Sequence, residues 1–297
     1  MNPLPEPVPI GILGGSGLYH MEALANPQEL VLDTPFGTPS DAYRIGSLGG
    51  RRVAFLPRHG RNHTLLPSEI PHRANVHGFK QLGVRWLISV SAVGSLKENL
   101  KPRDFVFPLQ FFDRTKQSVE HTFFGRGIVA HVSFGRPVCE TLATLLYQSA
   151  TLCGATCHWG GTYVNMEGPA FSTLAECQVH RAADFDVVGM TNLAEAKLAR
   201  EAEISYATLA MVTDYDCWHS AVGEVQVSDI LGILHDNAAL AKRTIHHVVQ
   251  QIPLNQTTPA HRALDSAILT PPSAWPESTR RDLATILDPV LARQVAN

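Results

Sequence analysis

The chain carries little charge and few aromatic rings: 17% of its 297 residues are Asp, Glu, Lys or Arg, and 7% are Phe, Trp or Tyr. With 24 Lys and Arg against 27 Asp and Glu, its formal charge is −3. No Lys/Arg run with interleaved aromatics occurs, so the basic footprint of a DNA- or RNA-binding surface is excluded. No apolar stretch reaches the roughly 20 residues needed to cross a bilayer. The start, Met1-Asn-Pro-Leu-Pro-Glu-Pro7, has neither the basic n-region nor the apolar h-region of a signal peptide, and a cytoplasmic location is the expectation.

The five cysteines, at 139, 153, 157, 177 and 217, are odd in number and dispersed. That excludes a secreted disulfide framework and favours buried, reduced thiols. Cys153 and Cys157 lie four apart, but no second Cys/His pair stands at zinc-finger spacing. Among the 14 histidines, His59 and His63 have an i,i+4 separation. Gly60 falls between them and no Glu follows His59 as in HExxH, so no metal is expected.

What is present is a core: 44% of residues are hydrophobic, enough at this length for a large α/β domain. Short β-rich runs at 10–13, 53–56, 86–90, 105–107, 161–166, 187–188 and 206–212 alternate with helical patterns. Helices are predicted over 72–82 and 228–249, and Thr173-x-x-Glu176 and Asn192-x-x-Glu195 each match a capping box. This alternation predicts a layered α/β arrangement over residues 1–297, as one large domain or two smaller ones, with a largely parallel or mixed sheet flanked by helices. Residues 253–297 are predicted to be a Pro-rich docked extension ending in a helix over 280–295, too short and polar for its own core.

The densest chemistry follows the apolar run 206–212, in Met211-Val-Thr-Asp-Tyr-Asp-Cys-Trp218. Residues two apart on a strand share a face, so Asp214 and Asp216 are expected at one edge of a pocket. Two carboxylates in a dry site do not both ionise easily, and the one that keeps its proton can donate it at neutral pH. Elsewhere, Ile10-Gly-Ile-Leu-Gly-Gly-Ser-Gly-Leu18 is a strand followed by a glycine turn that brings backbone N–H groups and Ser16 toward an oxyanion. Alone the turn is equally a plain tight turn, since it lacks GxGxxG spacing and a P-loop lysine. Two further strand ends carry Arg58-His-Gly-Arg61 and Ser89-Val-Ser-Ala-Val-Gly-Ser95. A guanidinium fork suits phosphate, and ligands in open α/β sheets bind at the carboxyl ends of strands.

The motifs Gly14-Gly-Ser-Gly-Leu18, Thr34-Pro-Phe-Gly-Thr-Pro-Ser-Asp41, Arg58-His-Gly-Arg61, Met166-Glu-Gly-Pro-Ala-Phe-Ser-Thr173, Gly189-Met-Thr191 and Thr213-Asp-Tyr-Asp-Cys-Trp218 resemble, in this order, those of 5'-methylthioadenosine phosphorylases. The resemblance spans about residues 8–250. That family belongs to the trimeric branch of purine nucleoside phosphorylases, which implies a single domain with a central mixed sheet and a homotrimer or a dimer of trimers. It implies phosphate-binding roles for Ser16, Arg58, His59, Ser91, Ala92 and Thr191. Met190 then resembles the residue under the ribose, Phe171 the ring near the purine, and Val225 and Val227 the wall around the 5' substituent. His131 resembles a residue that reaches a neighbouring subunit's substrate.

Ser172, Val227 and Asp214 bear on specificity. Oxopurine relatives carry Glu at the position of Ser172 and Asn at that of Asp214. An acid faces an exocyclic amine favourably and a carbonyl unfavourably, so adenine is the expected base. Relatives often have Asn where this chain has Gly189. The implied reaction is phosphorolysis through an oxocarbenium-like state, with Asp214 and Asp216 catalytic, phosphate as co-substrate and no metal or organic cofactor. Two alternatives stay open: a 6-oxopurine nucleoside or methylthioinosine phosphorylase, and a non-enzymatic nucleotide sensor built on the glycine turn with Asp33 as ribose ligand.

Overall fold

The computed structural model describes residues 6–116, 118–219 and 227–296. Its central strands are β1 (Ile10–Gly14), β4 (Arg51–Pro57), β5 (Trp86–Ser95) and β11 (Ser205–Asp214), all parallel. Antiparallel additions make the sheet mixed: β2 (Ala25–Leu30) and β3 (Tyr43–Leu48) extend one edge in the order β2-β3-β4-β1-β5. On the other side of β5 stand β10 (Val187–Gly189), β9 (Thr162–Asn165) and β7 (Gln110–Asp113). β11 also pairs with β5 and with β6 (Phe105–Phe107), which in turn pairs with β8 (Cys157–Trp159).

The apolar runs that predict strands are buried on both faces, and side-chain alternation sorts them into two cores. Ile10, Ile12, Val53, Phe55, Ile88 and Leu209 face one helix layer, made by α2 (Glu140–Leu152) and α5 (Val227–Gln251). Leu13, Ala54, Leu56, Leu87 and Tyr206 face the other, made by α1 (His72–Gln81), α4 (Asn192–Glu201) and α7 (Ala284–Ala296). The layered single α/β domain is therefore as expected. None of the described helices is long and apolar enough to span a membrane.

Several elements depart from the sequence expectation. β2 carries Ala25-Asn-Pro-Gln-Glu-Leu30, almost wholly exposed with an irregular register, and so offers no apolar alternation to read. β3, which the strand pattern of the sequence does not include, joins β4 through Gly49 and Gly50, both at positive φ as a tight hairpin turn requires. The predicted last helix is two, α6 (Glu277–Asp282) and α7, broken at Leu283. Ile286, Leu287 and Val290 of α7 are buried in the second core. α3 (Leu174–Ala182) does begin with the predicted capping box: Thr173 accepts from the Glu176 amide, and Glu176 accepts from the Thr173 amide.

Candidate active site

A cavity of about 530 Å³ opens where the carboxyl ends of β1, β4 and β11 meet the second half of β5. β5 does not end where the sequence suggests. It pairs with β1 over Trp86–Ser89 and then runs on to pair antiparallel with β10 at Gly94 and Ser95. Ser91, Ala92, Val93 and Gly94 therefore line the cavity from within a strand, past the end of β1.

On one side lies a cradle of hydroxyls, backbone and cation. The turn after β1 places Ser16 in the wall, and an ideal Cβ at Gly15 would stand 2.4 Å from Val90 O and 2.5 Å from Arg58 Nη1. Only glycine permits that approach. Thr191, the N-cap of α4, also lines the cavity. A helix N-terminus there adds positive potential for an anion.

Arg58 lines the cavity but is almost wholly buried, clamped by Glu195, which is fully buried. The guanidinium donates through Nε and Nη2 to Glu195, through Nη2 to Ser89 Oγ at 2.7 Å and through Nη1 to Val90 O at 3.0 Å. Burial alone would drive both groups toward neutrality, but their attraction outweighs it and holds Arg58 above and Glu195 below the usual range. The clamp continues into Ser89, Tyr206 and Asn192. Glu195 is thus not the capping partner of Asn192: the N-cap is Thr191, and the carboxylate turns inward to Arg58.

Asp214 and Asp216 line the same cavity. Only Asp214 belongs to β11. Asp216 lies in the following turn at φ +51°, so a turn and not strand alternation brings the carboxylates together. The Asp216 amide donates to Asp214 Oδ1 at 2.8 Å and Thr213 Oγ1 donates to Oδ2 at 2.6 Å. Burial pushes the Asp214 carboxyl up, and the neighbouring Asp216 adds to this against those two bonds. Gly94 gives them room, since a Cβ there would come within 2.9 Å of Asp214 Oδ1. Asp216 is buried, and its Oδ2 has no N–H or O–H donor among the described residues.

Asp216 also lies against Cys177 and Cys217, the three ligand atoms within 4.8 Å of one another. Burial pushes both thiols up, so without a ligand they stay protonated.

Met190 and Phe171 line the cavity, as do Ala92 and His59. His59 holds Leu65 O at 2.8 Å through Nδ1, and burial followed by the charge of Arg58 lowers its pKa to about 4. Ser172 is absent from the wall; its hydroxyl points to Met166 Sδ at 3.7 Å, and Met166 does line the cavity. His131 lies away from it, in a separate depression with Phe134, Lys197 and Glu201. Asp33 is exposed and outside the cavity, which removes the ribose ligand that the sensor alternative requires. Val225 and the side chain of Val227 lie outside the described residues.

Four contributors escape a sequence reading. Glu195 is disguised by a capping pattern, and Tyr163 by the apolar strand that carries it. His63 and Tyr19 line the mouth, joined by a 2.9 Å hydrogen bond, with His63 stacked on His59 at 4.3 Å. Only their proximity to the glycine turn and to Arg58 signalled them.

Residues 9–250 match the Phosphorylase superfamily. The chain is 58% identical over 283 residues to the S-methyl-5'-thioadenosine phosphorylase of Synechocystis sp., covering 94% of this chain and 86% of that one. It is 53% identical over 287 residues to that of Koribacter versatilis, covering 97% and 98%. A methylthioadenosine phosphorylase from an antarctic soil metagenomic library superposes with a TM-score of 0.90 at 48% identity, over 95% of this chain and 100% of that one. The Schistosoma mansoni methylthioadenosine phosphorylase in complex with adenine superposes with a TM-score of 0.81 at 32% identity, over 95% and 98%. The chain belongs to the S-methyl-5'-thioadenosine phosphorylase family of this superfamily.

Proposed function

We propose that the protein cleaves 5'-methylthioadenosine with inorganic phosphate, giving adenine and 5-methylthioribose 1-phosphate. One observation carries this: a carboxylate pair, Asp214 and Asp216, and the hydroxyls and guanidinium of Ser16, Ser91, Thr191 and Arg58 line one and the same cavity. Phosphate is held by Ser16, Arg58, His59, Ser91, the Ala92 backbone and Thr191. The C1'–N9 bond breaks with its electron pair moving into the purine, phosphate oxygen bonds to C1', and Asp214 delivers its proton to N7. Asp216 accepts from the 6-amino group. Met190 packs under the ribose and Phe171 against the base, with Val225 and Val227 around the methylthio group and Ser172 leaving room for an aminopurine.

In this reading the active unit is a homotrimer or a dimer of trimers, in which His131 reaches a neighbour's 5' substituent. Its place is the cytoplasm, and no metal or organic cofactor takes part. The exposed Phe171 ring and the distance of His131 from its own cavity support a site completed by a second copy. A coupled assay of adenine release tests the whole: release from methylthioadenosine that requires phosphate is expected, and equal or greater cleavage of inosine would overturn the base assignment.

A further inference from the structure

Resting on the phosphate reading of the cradle, we propose that Tyr163 is a positioning residue for the oxyanion, its hydroxyl donating to Ser91 Oγ from a space that exists because residue 189 is glycine. Tyr163 sits on β9, wholly buried and paired with Val187 of β10 and Phe111 of β7. Its ring packs against Phe111 with centroids 5.5 Å apart, and its hydroxyl lies 3.3 Å from Ser91 Oγ. Tyr163 itself does not reach the cavity, whereas Ser91, Gly189, Met190 and Thr191 all do. The hydroxyl therefore stands directly behind the cradle.

A serine hydroxyl has one hydrogen and two lone pairs. Ser91 spends its hydrogen on Ala92 O at 3.2 Å, a long contact that an incoming oxyanion displaces. Once that hydrogen turns to the anion, Ser91 can only accept from Tyr163, which fixes the rotor with its donor aimed into the cavity. Burial raises the Tyr163 phenol, so it remains a donor throughout the neutral range. Gly189 is the counterpart: an ideal Cβ there would lie 1.9 Å from the Tyr163 hydroxyl oxygen and 2.5 Å from Cζ. Any side chain at 189 evicts the hydroxyl.

The test is a double-mutant cycle on Tyr163→Phe and Ser91→Ala, with phosphate and methylthioadenosine each varied in initial-rate kinetics and inorganic phosphate titrated by calorimetry. Tyr163→Phe is expected to raise the KM and Kd for phosphate about fivefold to tenfold, the worth of one hydrogen bond, with the nucleoside KM within about twofold. In the Ser91→Ala background the same change should have no further effect on phosphate. Equal effects in both backgrounds, a parallel rise in both KM values, or no change would overturn the proposal. A purely structural role predicts a lower melting temperature without that selectivity. Should the wild-type protein fail to release adenine in a phosphate-dependent way, the functional reading falls, and calorimetry with phosphate alone still decides whether Tyr163 acts through Ser91.

Discussion

Arg58 and Glu195, 137 residues apart in sequence, meet as a buried fork-to-fork ion pair in which Nη2 lies 3.2 Å from Oε2. The pair joins the end of β4 to α4, and its cation forms part of the cavity wall. A buried charge that loses its partner costs about 3–5 kcal/mol. Glu195→Gln keeps the shape and removes the charge, so we expect a loss of that size in urea unfolding. Arg58→Ala leaves the buried carboxylate beside the proposed phosphate site instead. It should raise the phosphate KM far more than the nucleoside KM; similar rises in both would remove Arg58 from the cradle.

Asp214 supplies the second prediction. Its carboxyl is raised by burial, so the protonated donor persists above the usual carboxylate range and is lost as pH climbs through the raised value. The rate with methylthioadenosine should fall along that limb. Asp214→Asn, which cannot donate a proton in the same way, should cost roughly 10²- to 10⁴-fold and abolish the limb. It should also improve any cleavage of inosine, since the amide can face N1–H and O6. Equal losses on both nucleosides would count against base recognition by this residue.

Much of the site is legible in the sequence because its residues sit at strand ends, where apolar runs give way to polar motifs. Ser16, Arg58 and Asp214 are of this kind. What could not be read depends on contacts between distant segments. Thr173-x-x-Glu176 and Asn192-x-x-Glu195 look alike, yet only the first caps a helix, because the second finds a buried guanidinium that no local pattern announces. Strand alternation predicts Asp216 beside Asp214; it arrives there through a left-handed turn instead. The exposed β2 strand has no apolar period, being held by its pairing with β3.

The buried histidines give the protein an acid limit. Burial pushes His59, His72 and His77 down to about 4, 3 and 4. In the unfolded chain each titrates near 6.5, so below about that pH the unfolded state binds more protons and stability falls until the folded values are reached. His77, packed beside Phe36 and Phe123 with neither ring nitrogen bonded among the described residues, shows this best. His77→Leu should remove one proton from the stability slope between about pH 6 and 4, worth about 2–3 kcal/mol across that window. Urea midpoints for both proteins at several pH values measure it; an unchanged slope would mean that the ring is already charged when folded.

The depression around His131 provides the last. It combines Phe134, Lys197 and the buried Glu201, whose pKa burial raises to about 7, in a depression separate from the chain's own cavity. If this face meets a neighbour's cavity, His131→Ala should raise the KM for methylthioadenosine while leaving that for phosphate unchanged. A mixed assembly then discriminates in trans from in cis action. Subunits carrying His131→Ala and subunits carrying Asp214→Asn are each impaired, yet in a reassembled oligomer some cavities pair an intact Asp214 with an intact His131 from next door. Activity above that of either parent is expected on mixing and refolding. A simple average of the two parents would mean that His131 does not act in trans.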